Sequence, residues 1–352
     1  MDIRLKNRRN RWAEPLPPGA YLFVNVPTLS SAQWHPISLS AAGPHGGTSA
    51  VAPSPSHTDA TPYVTVSLHV RALGEGTWTH ALYQLALAEE ARAAAASVGA
   101  GARSQPPRGE AAALEQGGAP LPPSIEEEDE PLTVLVDGPY GHLSLDLRRY
   151  RRLVLFAGGI GVTPITTTLA YIIHEKSQPG GGALPWIQHV TLVWAVREEE
   201  TYAAFVPFLE EALAALNRPA QRANDPEACA FDVEAYMTSL PSQGEGEEED
   251  DERDDEAGLA RRRFGRGRLI KKAVNAVVAR VAPVVSGGGA GRLRRRGGRP
   301  NVFRLMNGLV DVEAGEQEVT AVVACAPLGL LCQVQRQCVL RDVDLHVEEF
   351  AW

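Results

Sequence analysis

Residues 151–173, RRLVLFAGGIGVTPITTTLAYII, join an apolar strand-like run to a glycine turn and a helix start. The glycines that would let the backbone turn tightly and approach a ligand are Gly158, Gly159 and Gly161. We expect Thr163 to be the N-cap of the helix and Pro164 its first residue, where the missing N–H is no loss. Free N–H groups at such a helix start bind phosphate. The segment therefore predicts a phosphate turn, with an ordinary strand-to-helix turn as the alternative.

The composition argues against several other kinds of chemistry. The chain has 352 residues and a formal net charge of -9, so we expect no nucleic-acid partner. Its four cysteines form no CxxC pair and no zinc spacing, so we expect no metal site. No apolar run reaches the roughly 18 residues of a membrane-spanning helix, and no secretory signal peptide follows the basic N-terminus.

The glycine turn needs a sheet to position it, and the chain supplies the pattern for one. Residues 150–352 alternate strand-like and helix-like runs, which predicts a parallel sheet with helices on both faces. Residues 15–85 and 131–140 carry alternating or β-branched runs bounded by Pro and Gly, which predicts an antiparallel β domain.

Two segments have the composition of inserts. The first, about 87–130, begins as an alanine-rich helix and ends in EEEDE. The second, about 241–298, contains EGEEEDDERDDE, then RRRFGRGRLIKK, then glycine-rich and arginine-rich runs. Segments of this composition do not bury a core, so we expect both to be disordered apart from the helical start of the first.

The glycine turn is accompanied by a set of motifs in a fixed order. They are WHPISLS (34–40), HVRALGEGTWTHAL (69–82), DGPYGH (137–142), LVWAVRE (192–198), YMTS (236–239), GRPN (298–301) and VVACAP (322–327). The ordered set resembles the cytosolic dehydrogenase region of the ferric reductase and NADPH oxidase family, and most closely its plant-type ferric-chelate reductase branch. The resemblance covers nearly the whole chain apart from the inserts.

The resemblance implies a β + α/β fold that binds FAD and NADPH. Residues 15–148 would form an antiparallel FAD-binding barrel and residues 149–352 a parallel-sheet NADPH-binding domain, behind a basic leader and strand remnant at 1–14. MDIRLKN looks like the family's second barrel strand, so the first strand and the haem-carrying helices are not expected here. A fragment, a partial gene model and a stand-alone module stay open as origins.

By resemblance, the flavin site comprises His35, Pro36, Ile37, Ser38, Arg71, Trp78 and Thr79. Ser38 would place a hydroxyl near the reactive edge of the flavin. An arginine such as Arg71 suits a diphosphate, because its fork matches phosphate geometry. Without the other motifs, Arg71 would be an edge-strand residue and Trp78 a core residue.

The nucleotide site, again by resemblance, comprises Gly158, Gly159, Gly161, Val162, Thr163, Pro164, Arg197, Thr238, Arg299, Cys325, Pro327 and Phe350. Arg197 could meet the 2′-phosphate that distinguishes NADPH from NADH, which favours NADPH, with a solvated arginine as the alternative. Cys325 would lie by the nicotinamide. Phe350 would cover the flavin until nicotinamide displaces it. Ser38, Cys325 and Phe350 are thus the expected catalytic residues.

Two substitutions depart from the family pattern. The family's Cys-Gly-Pro is Cys325-Ala326-Pro327 here, and the added methyl is expected to crowd a closely approached backbone and to lower the efficiency of hydride transfer. Ile37 replaces a phenylalanine in the flavin motif, which removes ring area but keeps the apolar character.

These observations predict a flavoprotein that passes hydride from NADPH to FAD and then single electrons to an acceptor, as ferric-chelate reductases do. Ferric chelate, cupric ion, a haem protein and oxygen stay open as acceptors, the last as in a superoxide-generating oxidase. The resemblance implies association with the cytosolic face of a membrane. The rival hypothesis is a non-catalytic module that docks on a membrane or partner through the basic stretch 261–281.

Overall fold

The structure is a computed structural model that describes residues 2–6, 16–40, 49–51, 63–101, 132–217, 228–241, 292–310 and 319–348. The chain divides into two compact units. One comprises Met1–Leu22, Pro36–His69 and Gly138–Trp352, and the other comprises Phe23–His35 and Val70–Asp137.

A six-stranded parallel sheet is the centre of the larger unit. In sheet order its strands are β10 (Leu293–Gly297), β9 (Ala230–Met237), β8 (His189–Val196), β7 (Arg152–Gly158), β11 (Thr320–Cys325) and β12 (Asp344–Val347). Each neighbouring pair is parallel. The strand that leads into the glycine turn, β7, therefore lies inside the sheet, as its apolar sequence predicts.

Helices cover both faces of this sheet. They are α2 (Val162–Ser177), α3 (Glu199–Leu216), α4 (Val302–Leu309) and α5 (Leu328–Arg341). Successive side chains of β7 point to opposite faces. Leu153 and Leu155 join the core formed with α2 and α3, whereas Val154 and Phe156 join the core formed with α4 and α5. This arrangement confirms the predicted α/β domain.

The second sheet is antiparallel between β5 and its neighbours β1, β3 and β4. Its strands are β1 (Asp2–Lys6), β2 (Tyr21–Asn25), β3 (His35–Ser40), β4 (Ser49–Val51), β5 (Tyr63–Leu68) and β6 (Leu135–Tyr140). The order is β1-β5-β3-β2-β6, with β4 paired to β5. The predicted β + α/β fold class is confirmed.

The two predicted inserts have different outcomes. Helix α1 (Trp78–Gly101) confirms the helical start of the first, while residues 102–131 lie outside the described residues. The predicted second insert is too long, because its last residues form β10 in parallel register with β9. The arginines of this strand find carboxylate partners on β9 and α3, which offset the charge that argued against a strand. Residues 242–291 lie outside the described residues.

None of the helices in the described part of the chain has both the length and the hydropathy needed to cross a bilayer.

Candidate dinucleotide site

The glycine turn is packed against the loop that follows β11. A short 3-10 turn, Gly159–Gly161, joins β7 to α2. A side chain at Gly158 would collide with the ring of Pro327, and one at Gly161 would collide with the carbonyl oxygen of Cys325. Glycine is required at both positions because two backbone segments meet there. The structure therefore brings the predicted glycine turn and the predicted Cys325–Pro327 segment together.

The middle of the turn is held by a side chain that sequence reasoning missed. The indole Nε1 of Trp194, which is fully buried on β8, donates a hydrogen bond of 3.0 Å to the carbonyl oxygen of Gly159. Gly159 has a φ of 53°, and a Cβ at this residue would have no atom of the described residues within 4 Å. The turn thus has open space beside a fixed backbone, as a phosphate requires. A buried tryptophan needs a partner for its N–H, and that need was the available signal.

The helix after the turn starts earlier than predicted. It begins at Val162, with Gly161 preceding it, and Thr163 is not the N-cap. The hydroxyl of Thr163 instead donates to the carbonyl oxygen of Ile160 at 2.8 Å. The cause is that the 3-10 turn leads directly into α2, so Pro164 is the third helical residue. In this first turn Val162 donates its N–H to the carbonyl oxygens of Gly159 and Ile160, and Pro164 has no N–H, so an anion would be bound by the remaining N–H groups and by the positive end of the helix dipole.

Three predicted polar residues follow the carboxyl ends of three neighbouring strands. Thr238, after β9, donates its backbone N–H to Val196 at 2.9 Å, beside Arg197. Gly298, beside Arg299, donates its N–H to Met237 at 3.1 Å. Arg197 and Arg299 are exposed, and no ion pair among the described residues engages either side chain. The structure therefore places two available cations and a threonine along one edge of the sheet.

The end of β11 is buried and neutral by comparison. Cys325 is fully buried, and this burial, with a smaller contribution from the negative charge of Glu348, raises the pKa of its thiol. The N–H of Glu348 donates to the carbonyl oxygen of Ala324 at 2.9 Å, and its carboxylate lies 2.9 Å from Nε2 of His346. Sequence reasoning missed Glu348, because nothing in HVEEF indicates that the chain returns beside β11.

The substituted Ala326 lies beside the turn. A Cβ placed on Gly158 would be 3.1 Å from the methyl carbon of Ala326. The residue that departs from the family pattern is thus next to a glycine that keeps to it. Phe350 lies outside the described residues.

In the smaller unit, two predicted flavin-site residues are in direct contact. The rings of His35 and Trp78 stack with centroids 4.2 Å apart and planes inclined by 26°. The buried Nε2 of His35 and Nε1 of Trp78 have no hydrogen-bond partner among the described residues. Burial lowers the pKa of His35, which keeps its ring neutral. Buried polar atoms are normally satisfied, so this pair fits a site completed by a bound polar group.

The loop carrying Arg71 is tied to the start of α1. The N–H of Leu73 donates to the hydroxyl of Thr79 at 3.1 Å. The hydroxyl of Thr77 accepts the N–H of His80 at 3.2 Å, as an N-cap does. Thr79 therefore contributes to the shape of the loop that presents the exposed Arg71.

The remaining flavin-motif residues continue β3 in the larger unit. Pro36 is exposed, whereas Ile37 and Ser38 are half-buried. The following residue, Leu39, is fully buried and donates its N–H to Ala20 at 3.0 Å, which fixes this end of the strand.

Comparison with known proteins agrees with the resemblance. The family model described as "Ferric reductase NAD binding domain" matches residues 150–339, more than half of the chain. A superoxide-generating NADPH oxidase heavy chain from Dictyostelium discoideum is 23% identical over 211 residues, which cover 60% of this chain and 31% of the relative. The chloroplastic ferric reduction oxidase 7 of Arabidopsis thaliana is 31% identical over 182 residues, covering 51% of this chain and 18% of the relative.

Human NADPH oxidase 5 is 25% identical over 211 residues, which cover 54% of this chain and 24% of that protein. The chain spans less than a third of the length of each of these relatives. The match to the family model includes β7 with its glycine turn, the strand ends at Arg197, Thr238 and Arg299, and the Cys325 segment. The chain therefore belongs to the family of proteins that carry a ferric reductase NAD-binding domain.

Proposed function

We propose that this chain is the dehydrogenase module of an NADPH-dependent, FAD-containing oxidoreductase of the ferric reductase type. The observation that carries the proposal is the convergence of a backbone phosphate turn, two available arginines and a buried thiol along the carboxyl ends of one parallel sheet. Ligands of open α/β sheets bind along these ends.

The chain's own residues can bind and orient a dinucleotide. The turn at Gly159–Gly161 and the first turn of α2 would hold the pyrophosphate through backbone N–H groups. Arg197 and Arg299 would meet the phosphate of the adenosine half, with Thr238 between them. Cys325 would lie at the nicotinamide end as a neutral thiol, since burial disfavours the thiolate.

The flavin would be held by the residues that the sequence predicts for it. FAD, when bound, supplies the chemistry that converts a two-electron donor into a source of single electrons. His35 and Trp78 offer two ring nitrogens that have no hydrogen-bond partner in the described part of the chain, and Arg71 offers a cation for the pyrophosphate. Ser38 and Phe350 are assigned to the reactive face of the flavin by the family motif.

Anaerobic mixing of the protein with FAD and NADPH tests the proposal. We expect FAD to bind and NADPH to bleach the visible absorbance band of the bound flavin. A matched sample of Arg71→Ala should bind FAD more weakly, because the cation for the diphosphate is gone. Bound FAD that NADPH does not bleach would overturn the enzymatic assignment.

The acceptor is proposed to be a ferric chelate, because the family model carries the ferric reductase description and a ferric reduction oxidase is 31% identical. A haem protein and oxygen are the other candidates, and the NADPH oxidases among the relatives favour oxygen as the second. Association with the cytosolic face of a membrane belongs to the same proposal. Ferrous-chelate formation and superoxide formation, measured in parallel with equal NADPH consumption, distinguish ferric chelate from oxygen. Superoxide formation that accounts for all electrons would reassign the protein to the oxidase type.

A further inference from the structure

The edge strand β10 carries three consecutive arginines that divide between the two faces of the sheet. Arg294 and Arg296 both pair with Glu234, at 3.1 and 3.2 Å. Because side chains alternate along a strand, Arg295 points to the opposite face, which α3 covers.

Arg295 has two partners on the first turn of α3. Its Nη2 lies 2.5 Å from a carboxylate oxygen of Glu199, and its guanidinium carbon lies 5.0 Å from the centre of the Tyr202 ring. The ring of Tyr202 is buried, so one face of the guanidinium is fixed against a rigid support. An exposed ion pair usually contributes little, but this second contact orients the arginine.

The same aromatic support reaches the phosphate turn. Tyr202 stacks on Trp194 with centroids 5.8 Å apart, and Trp194 donates its indole N–H to Gly159. Arg295 is also level with Trp194 in the sheet, because both pair in register with Ala235. The contacts that position Arg295 are therefore continuous with those that position the glycine turn.

Glu199 lies at the end of the sheet where we expect the adenosine ribose to bind, and it is the second of three consecutive glutamates, Glu198, Glu199 and Glu200. It begins α3 two residues after Arg197, just past the carboxyl end of β8. In doubly wound nucleotide domains an acidic side chain downstream of the glycine turn binds the ribose 2′-hydroxyl, whereas a nearby arginine accommodates the 2′-phosphate. An uncompensated carboxylate here would repel a 2′-phosphate.

The ion pair between Arg295 and Glu199 reduces this repulsion between carboxylate and 2′-phosphate in two ways. It compensates the charge of Glu199, and it draws the carboxylate toward Arg295, which is level with Trp194 and so two residues before the end of β8. Arg197, at the strand end, has no such partner among the described residues and stays available for the phosphate.

We propose that Arg295 sets the preference for a 2′-phosphorylated nucleotide by neutralising Glu199, the acid that would otherwise favour an unphosphorylated ribose. The inference rests on the proposed function in one respect, namely that a nicotinamide dinucleotide binds at this edge of the sheet. Arg295 is a specificity-determining residue that acts through Glu199 and does not contact the phosphate itself.

Calorimetric binding of two fragments to the full chain tests this inference without turnover. Adenosine 2′,5′-bisphosphate carries the 2′-phosphate, and 5′-AMP lacks it. The wild-type chain is expected to bind the bisphosphate more tightly. Arg295→Ala should lower the ratio of the two affinities about tenfold, because a bare carboxylate then faces the phosphate.

A second substitution shows whether Arg295 acts by compensating the charge of Glu199 or by contacting the 2′-phosphate directly. In Arg295→Ala combined with Glu199→Gln the acid is gone as well, so the ratio should return to within about threefold of wild type. Arg295→Lys keeps the positive charge and should keep the preference. Arg294→Ala is the matched control, since Arg294 lies on the opposite face and pairs with Glu234.

The results for these variants either support or overturn the proposed role of Arg295. A ratio unchanged in Arg295→Ala, with an unaltered circular dichroism spectrum, overturns the inference and leaves the proposed function intact. A double variant that stays as weak as Arg295→Ala also overturns it, because Arg295 would then contact the phosphate directly. If Arg295→Ala does not fold, the ratio in Arg295→Lys decides, and loss of the preference there contradicts the inference. A wild-type chain that binds neither fragment overturns the proposed function itself.

Discussion

The carboxyl edge of the parallel sheet has two halves that differ in almost every physical respect. At the ends of β7 and β11 two backbone segments pack together, Gly158 and Gly161 leave no room for a side chain, and the thiol of Cys325 is buried and neutral. At the ends of β8 and β10 two exposed arginines, Arg197 and Arg299, carry charge, and the half-buried Thr238 follows β9 between them. A dinucleotide has the same polarity, with an uncharged or singly charged ring at one end and phosphate near the other. We therefore expect the first half to select a dinucleotide by the shape of the backbone and the second half to select it by charge.

We expect the greatest loss of stability and of nucleotide affinity from a substitution in the packed half, at the ends of β7 and β11. Gly161→Ala would drive a methyl group into the Cys325 carbonyl, so we expect a loss of about 1–3 kcal/mol in the free energy of unfolding. Nucleotide affinity should fall at least about tenfold, because the turn must shift. Denaturant unfolding and calorimetry measure the two quantities. Gly329→Ala on α5 is the control, since a Cβ there meets no atom of the described residues within 4 Å. Equal stability of the two variants would contradict the packing argument.

Removing a charge from the second half, at the ends of β8 and β10, should weaken nucleotide binding less, and only for a ligand that carries the 2′-phosphate. Arg197→Ala should weaken binding of adenosine 2′,5′-bisphosphate about fivefold, an amount typical of an exposed charge-assisted contact. The loss should shrink as salt is raised, because exposed charges are screened. Binding of 5′-AMP should hardly change. Arg336→Ala, an exposed arginine on α5, serves as the control. An equal loss for both fragments would show that Arg197 does not read the 2′-phosphate.

Ala326→Gly changes the shape of the packed half without changing any charge. The substitution removes the methyl group beside Gly158 and restores the family's residue. We expect NADPH to reduce bound FAD about two- to fivefold faster, since small displacements at a reacting centre have effects of at least this size. Stopped-flow absorbance measures the rate. Ala324→Gly in β11 should lose stability without any gain in rate, and a rate unchanged in Ala326→Gly would show that the methyl group is tolerated.

We expect the smallest effect from ionisation of the buried thiols, which makes the free energy of unfolding depend on pH. Burial raises the pKa of Cys229 and of Cys338 to about 12 and raises that of Cys325 as well, whereas Cys332 is exposed. Folded-state pKa values above the unfolded ones mean that stability is complete below about pH 8.5 and decreases as pH rises above it. Unfolding in denaturant at pH 7 and pH 10 measures this decrease.

Thiol labelling of the native protein at pH 8 should modify Cys332 before the other three cysteines. A native Cys325 that reacts as fast as Cys332 would contradict the neutral, buried character of the β11 end. Cys332→Ser should leave the pH dependence of stability unchanged.

The buried parts of this fold could be predicted from the sequence because local pattern and burial agree there. After their first residues, Arg152 and Thr320, RLVLFAG and TAVVAC are apolar, and such short, partly β-branched runs are typical of inner strands of a covered sheet. The glycine turn could be predicted for the same reason, since its residue types allow few alternatives. The prediction of its capping is wrong because the competition between a 3-10 turn and an α-helix over one or two residues leaves no trace in residue type.

The charged parts are harder to predict because their partners lie far away in the chain. The sequence LRRRG alone indicates a solvent-exposed charged segment, and only the structure shows that Glu234 and Glu199 lie beside its arginines. Trp194 and Glu348 escape sequence reasoning in the same way, as their roles depend on Gly159 and Ala324. Sequence indicates the residues that would contact ligand, but not the neighbours that fix their positions.

The alternation of arginines along β10 has a further consequence for the chain in solution. A strand at the edge of a sheet offers unpaired backbone groups to any other strand, and proteins prevent such pairing with charge. Within the described residues β10 is an edge strand, and it has an arginine at three consecutive positions, so both of its faces carry positively charged side chains. The three arginines share two carboxylates, those of Glu234 and Glu199, so this group of side chains keeps a net positive charge that a second copy would also carry. We therefore expect β10, whose Arg295 is proposed to set the nucleotide preference, also to disfavour pairing of this sheet with a second copy.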